Sequence, residues 1–367
     1  LTPEVLDVVL VLCSLMAFCA GLWALGQTDI KKILAYSTLA HLGLMGSAIA
    51  LGYDLAMFHL TTHAFFKATL FLVAGSIIHA CHHEQDIYKM GGLFKKMPIT
   101  SIAALLATLS IVAIPYFAGY FSKEAIVVAA FRRMASGVLL DQIAFGLIFV
   151  AAALTPVYMF RLFFNVFCGT PRSEVAKSAR ESSLFMTLPL VVLGIYSLAG
   201  AWGFEFGFQW LGGKFCGLIP ASATSFVGEL LKNHSSSADI AEAAGMVEKA
   251  AMLCTFVGIA FAYVVYGRNK GYDPIQKNFP TLYNALEQHG WFDRVYNWYV
   301  VKVQQRIATF LATFVDLLVI ELLCVRGVGI VCAVVGHGFK KLHDCSCNSQ
   351  VKWLVFGVVL LMVLIFA

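Results

Sequence analysis

The chain has 367 residues, 60 % of them hydrophobic and 13 % charged, with a formal net charge of +5 and a mean hydropathy of +0.80. A soluble domain carries about 25 % charged residues, so a water-facing fold would need a very large core with almost no surface. The composition is that of a polytopic membrane protein, and its basic residues, mostly in short connections, report orientation rather than a nucleic-acid partner.

The first span is predicted over residues 6–25. Asp29, Lys31 and Lys32 mark a water-facing boundary, and residues 33–51 form the second span, with His41 inside it. The ordinary reading of His41 is a packed histidine with a satisfied hydrogen bond. Gly52-Tyr53-Asp54 turns the chain into the third span, LAMFHLTTHAFFKATLFLVAGSIIHAC over residues 55–81, which carries His59, His63 and Lys67. At roughly 100° per residue, each step of four drifts a side chain by only about 40°, so all three project from one face. A charge near the bilayer midplane costs about 2.5–3.5 kcal/mol even on the lenient insertion scale. That face therefore looks onto protein or a wet cavity, with Phe58 and Leu72 as lipid-facing residues of the same helix. Histidine titrates near neutral pH, and lysine does so when desolvated. The face reads as part of a proton or ion path.

The polar loop CHHEQDIYKMGGLFKKMP follows, then an apolar run over 99–114 that Pro115 interrupts. Proline removes a helical hydrogen bond and clashes with another carbonyl. Within a membrane such a break survives only where protein or a wet cavity satisfies the freed groups, and discontinuous helices point to ion sites. Lys123 and Glu124 lie just beyond it. They read either as part of such a site or as a membrane-end cap with Lys123 snorkelling. A fifth span is predicted over 137–166, with Asp141, Pro156 and Arg161. A sixth covers 184–202, a long loop 204–245 and a seventh 250–266. Of the basic residues in connections, eleven gather on one side and five (Arg132, Arg133, Lys214, Lys232, Lys249) on the other. The first side is therefore inside.

After Pro280 the chain changes character. TLYNALEQHGWFDRVYNWYVVKVQQRIATF is aromatic and charged, as interfacial helices are. Hydropathy alone reads 311–337 as a crossing. The other reading is a helix along the membrane, about 65–70 Å long for some 45 residues. A crossing would carry Lys340 and Lys341 outside, against the charge bias, so 296–340 is expected to lie along the inner face. Residues 351–367 form a short final span. The ten cysteines are scattered. Cys345 and Cys347 beside His343, and Cys81 beside His82 and His83, fall short of the paired spacings of structural zinc sites, and no metal site is expected. Iron–sulfur, haem, dinucleotide and P-loop motifs are absent. The opening Leu1-Thr2-Pro3-Glu4 reads as a loop entering a helix, and the chain as a fragment or truncated product.

QTDIKKILAYST, FHLTTHAFFKATLFL, CHHEQDIYKMGGL and AGYFSKEAI resemble the antiporter-like subunit L of bacterial NADH–quinone oxidoreductase, subunit 5 in the mitochondrial enzyme. The resemblance covers the whole chain, including GWFDRVYNWYV and the helix that follows. It implies an all-α integral membrane protein with about eight transmembrane helices, one of them broken, plus a long lateral amphipathic helix. Its expected divisions are a second five-helix antiporter-like repeat (1–166), two further spans with loops (167–280), the lateral helix (281–348) and an anchoring span (349–367). The resemblance places Lys31, His59, His63, Lys67, Lys123 and Glu124 in a proton pathway, with Lys123 handing the proton outward. His41 stands where the family usually has glutamine. A first repeat, carrying a glutamate–lysine pair, would precede Leu1.

The implied function is a proton-translocating, non-redox membrane subunit of NADH:quinone oxidoreductase. It would have no cofactor of its own, because NADH, FMN, iron–sulfur clusters and quinone are bound by other subunits. Its implied partners are the bilayer and neighbouring antiporter-like subunits clamped by the lateral helix. The implied location is the bacterial inner membrane or, alternatively, the mitochondrial one. Mrp-type cation/proton antiporter subunits share the core motifs and are the alternative reading; a non-transporting structural fragment is the third.

Overall fold

The computed structural model describes residues 2–199, 238–267, 271–288, 292–342 and 346–366. Every named element among them is helical, and the chain divides into two compact units, Leu1–Gly290 and Trp291–Ala367. The loop over 204–237, together with Arg268, Lys270, His343 and Cys345, lies outside the described residues.

In the first unit, α1 (Pro3–Gly26), α2 (Ile30–Leu51), α3 (Tyr53–Ala80), α6 (Leu139–Phe167) and α9 (Ala238–Tyr266) are long and apolar enough to cross a membrane. Their starts follow local chemistry. Proline occupies the first turn of α1 and of α4 (Pro98–Ile111), where its missing N–H costs nothing. Asp29 caps α2 by accepting from the N–H groups of Lys31 and Lys32. The seventh span begins well before the expected 250, because ADIAEAAGMVEKAA is rich in strong helix formers and extends α9 back to Ala238.

The broken span is α4 followed by α5 (Ala118–Met134). Neither half is long enough alone to cross about 30 Å of hydrocarbon. Around Pro115 the backbone enters the left-handed region at two non-glycine residues, Ala113 (φ 67°) and Tyr116 (φ 74°). Such strain persists only where the surroundings over-determine it. Here α5 is pinned to the end of α4: Gly119 N donates to Ser110 Oγ at 3.1 Å. A Cβ on Gly119 would sit 2.0 Å from Ser110 O, so the close approach requires glycine.

α3 packs against α2, α4, α5 and α8 (Leu184–Ala199), while α6 packs against α1 and α9. So enclosed, α3 leaves only a narrow stripe open. Leu72 is on it, together with Leu60 and Phe71. Phe58, expected to face lipid, is instead buried, because the side of α3 it occupies is covered by neighbouring helices. Polar ties hold both ends of the bundle. At one end Ile30 N bonds Gln85 O, Ile87 N bonds Thr28 O and Gly92 N bonds Cys168 O. At the other, Arg133 reaches Asp7, Asp141 (2.9 Å) and the Ala50 carbonyl (3.1 Å).

The buried apolar residues form two clusters. One gathers Ile33, Leu34, Phe66, Leu70, Tyr158 and Phe163; the other gathers Leu10, Leu44, Ala56, Ala125, Ile148 and Ala152. Along each central helix the two are separated by a gap. On α2 the gap falls between Leu34 and Leu44, on α3 between Ala56 and Phe66, and on α6 between Ala152 and Tyr158. A polar layer fills it.

Three short helices, α7 (Glu174–Ser178), α10 (Pro274–Asn278) and α11 (Pro280–Glu287), complete the first unit. The second unit is α12 (Arg294–Lys340) and α13 (Cys347–Phe366), with their large apolar side chains exposed. At 47 residues α12 reaches about 70 Å, more than twice the hydrocarbon thickness. Its middle, Ala312–Gly327, is wound with i→i+5 hydrogen bonds. That stacks residues five apart, and Glu321 pairs with Arg326 at 2.5 Å. Phe339 meets Trp353 of α13 edge to face, with centroids 6.3 Å apart.

Candidate functional site

The polar layer is built from α2, α3, α5 and α6. His41, His59, His63, Lys67, Ser122, Lys123 and Glu124 all fall there, each between 0 and 6 % exposed. His59 and His63 stand one turn apart on α3, and His41 of α2 closes a triangle of imidazoles with centroids 5.2, 5.5 and 6.1 Å apart. Phe66 covers the triangle, 5.3 Å from His63 and 5.8 Å from His41.

A chain of hydrogen bonds runs through this layer. His41 Nδ1 lies 3.0 Å from His59 Nε2, and His59 Nδ1 lies 2.9 Å from Ser122 Oγ. Thr62 Oγ1 joins Ser122 Oγ at 2.7 Å. In neutral imidazole one nitrogen donates and the other accepts, so the same positions support two polarities. Either His41 donates to His59 and His59 to Ser122, or every bond runs the other way. Passage of one proton converts the first arrangement into the second. That property is the one a proton relay requires.

A lysine stands at each flank. Lys67 Nζ donates to Leu34 O at 3.2 Å, an oxygen that also accepts from Thr38 Oγ1. Lys123 Nζ donates to Ala152 O at 3.1 Å. Sequence explains why that carbonyl is free. Pro156, four residues on in α6, has no N–H to offer it, so the proline in α6 leaves free the acceptor that holds Lys123. Neither lysine forms an ion pair among the described residues. Three atoms of the layer are buried without a hydrogen-bond partner: His41 Nε2, His63 Nε2 and Glu124 Oε2. Beside Lys123 and Glu124 lies a cavity of about 10 Å³, lined also by Phe149, Ala152, Cys254 and Thr255, room for roughly one water.

Five of the six residues expected on the path are thus brought into one layer. Lys31 is not. It sits exposed at the start of α2, its N–H on Asp29 Oδ1 at 2.7 Å, ten residues and about 15 Å of helix from His41. The cap reading of Lys123 fails because the side chain is buried. His41 makes the hydrogen bond that a packed histidine makes, but its partner is His59, which puts it in the hydrogen-bonded line. Among the described residues no cluster of three or more His, Cys, Asp or Glu is arranged to hold a metal ion.

Sequence reasoning missed a second buried cluster. Arg161 is fully buried against Asp273, with Nη2–Oδ2 at 3.0 Å and Nε–Oδ2 at 3.1 Å, and its Nη1 donates to Gln27 O at 2.7 Å. Tyr88 OH donates to Asp273 at 2.7 Å, and the guanidinium lies 5.7 and 5.8 Å from the Tyr88 and Tyr266 ring centres. Burial raises the Tyr88 phenol well above its ordinary range and pushes Tyr283, beside the cluster, up to about 12. This cluster fastens the connections after α1, α3 and α9 to the end of α6.

Residues 1–155 match the family described as NADH:quinone oxidoreductase/Mrp antiporter, TM. NADH-quinone oxidoreductase subunit L of Pseudomonas aeruginosa is 34 % identical over 307 residues, 82 % of this chain and 45 % of that protein. NADH-ubiquinone oxidoreductase chain 5 of Cryptococcus neoformans var. grubii is 31 % identical over 376 residues, 100 % of this chain and 54 % of that protein. The chain belongs to the antiporter-like membrane-subunit family of NADH:quinone oxidoreductase. It spans about half the length of the curated relatives it matches. The membrane-bound sulfane sulfur reductase, an archaeal respiratory membrane complex, contains a chain of like fold, with a TM-score of 0.55 at 20 % identity over 97 % of this chain and 56 % of that one. Family membership and the apolar helices together make this a multi-pass inner-membrane protein.

Proposed function

We propose that the chain carries the outlet half of a proton channel in an antiporter-like, non-redox translocase subunit of NADH:quinone oxidoreductase. Protons enter the layer at Lys67 and His63, pass His41 and His59, cross Ser122 and reach Lys123 and Glu124 at the broken helix. The observation that carries this reading is the hydrogen-bonded line His41–His59–Ser122 in a layer with two buried lysines, neither of which forms an ion pair among the described residues. Buried polar groups are ordinarily satisfied, and intramembrane ionisable residues mark ion paths and proton relays. Redox cofactors belong to other subunits in this reading. α12 lies along the inner membrane face and clamps neighbouring antiporter-like subunits, as its 47-residue length and exposed apolar side chains suggest.

The test is made in the full-length subunit within the assembled complex. Lys123→Ala is expected to lower vesicle proton uptake about tenfold or more, as removal of a proton-transfer group does, while Lys340→Ala leaves it near the parent value. Equal effects of the two changes would count against the reading.

A further inference from the structure

Beyond Lys123 and Glu124 the proton still has to leave the bundle, and a residue not yet used stands where it would go. Glu124 is nine-tenths buried, and its Oε2 has no hydrogen-bond partner. It lines the small cavity together with Lys123 and, from α9, Cys254 and Thr255. Also on α9 is Glu248, half-buried, whose Oε1 accepts from Tyr120 OH at 2.6 Å. Tyr120 lies one helical turn from Glu124 on α5. The two carboxylates therefore flank one phenol, one fully inside the bundle and one partly open.

Glu248 meets α5 at Tyr120, one turn nearer the break than Glu124, and its greater exposure is what marks it as the outlet. α5 runs from the break toward the end of the bundle held by Arg133, and α9 starts at that same end. Glu248 is ten residues into α9, about 15 Å from its start. A glutamate exposed to hydrocarbon at that depth would be costly. A glutamate held by a half-buried tyrosine, one turn of α9 from the cavity-lining Ala251, has its environment explained.

We propose that Glu248 is the exit carboxylate of this half-channel, positioned by Tyr120. The inference rests on the proton-path reading above. The Lys123 ammonium gives its proton to the Glu124 carboxylate, leaving a neutral amine and a carboxylic acid. Glu124 passes the proton, through water between the two side chains, to the Glu248 carboxylate, which releases it to the outer aqueous phase. Lys123 is recharged from Ser122 and His59. One proton moves, no bond to carbon changes, Lys123, Glu124 and Glu248 return to their starting charge, and the imidazoles and Ser122 reset their polarity before the next proton.

The experiment measures proton uptake, quinone reductase activity and amount of assembled complex for Glu248→Gln, Glu248→Ala and Tyr120→Phe in the full-length subunit, with Lys123→Ala alongside. Glu248→Gln is expected to assemble normally and to lose about tenfold in proton uptake. Formate or azide, small diffusible weak acids, should restore part of the flux in Glu248→Ala, an effect that a purely structural role would not produce. Tyr120→Phe should fall in between, its carboxylate kept but no longer held. Parent-level uptake in Glu248→Gln while Lys123→Ala is dead overturns the exit assignment alone. Parent-level uptake in Lys123→Ala overturns the path itself. If Glu248→Gln fails to assemble, Tyr120→Phe decides: reduced uptake in normally assembled complex supports the exit, and unchanged uptake overturns it.

Discussion

Arg161 and Lys67 are both cations buried in the same bundle, yet they keep different company. Arg161 has a carboxylate at 3.0 Å, a carbonyl on another nitrogen and two tyrosine rings beside it, and its partner Asp273 also accepts from Tyr88 and from Ile275 N. Lys67 has one carbonyl, and the imidazoles next to it keep unpartnered nitrogens. Both clusters keep a spare polar atom, since Arg161 Nη2 and Tyr283 OH also lack a hydrogen-bond partner, so what separates them is charge pairing: a paired buried ion is lost only at a high cost to the fold, whereas an unpaired ionisable group inside a membrane marks an ion path. By that measure the Arg161 cluster is a clasp, and the histidine–lysine layer has the character that the proposed path requires.

The sharpest way to break the comparison is at the clasp. Arg161→Met strands Asp273, at a cost of about 3–5 kcal/mol for a broken buried pair. Yield of the assembled complex and its thermal midpoint should fall sharply. Arg161→Met combined with Asp273→Asn should recover part of the loss. An unchanged yield for the single variant would show that the cluster is not structural. The broken helix comes next. Gly119→Ala forces a Cβ against Ser110 O and should cost about 1–3 kcal/mol, as overpacking does. Thermal denaturation should register it, with a smaller fall in midpoint than for Arg161→Met.

The smallest effect belongs to the loop after α3. Glu84 accepts from the N–H of Asp86 and of Gln85 and pairs with Lys89 at 3.1 Å, and these bonds, the Asp86 N–H foremost, hold its carboxyl below the ordinary range. A depressed folded-state value adds stability above the unfolded-state value and loses it as pH falls through the folded one. The amides of Gln85 and Asp86 should therefore lose exchange protection only below the ordinary carboxylate range. Glu84→Gln should weaken that pH dependence without altering proton uptake.

The buried polar layer was far more legible in sequence than the clasp. His59, His63 and Lys67 share a face through local periodicity, and Pro115 announces the break beside Lys123. Those signals lie within one helix or one turn. Arg161 and Asp273 are 112 residues apart, and Tyr88 comes from a third connection; no spacing rule joins them. His41 falls between the two cases. Its contact with His59 depends on how α2 and α3 rotate against each other, which hydropathy does not fix. Phe58 was misplaced for a related reason, since the number of neighbours around α3 decides which stripe stays open. Lys31 shares a helix with His41, but helical rise alone separates it from the layer.

The central claim, that the buried layer conducts and does not merely hold the bundle together, is met most directly by Lys67→Leu in the full-length subunit. Leucine favours insertion and removes the titratable group, and no carboxylate among the described residues pairs with Lys67 to be stranded. Assembled complex and vesicle proton uptake are measured on the same preparation. The account predicts normal assembly with proton uptake down about tenfold. Loss of assembly, or full uptake in normally assembled complex, would contradict it.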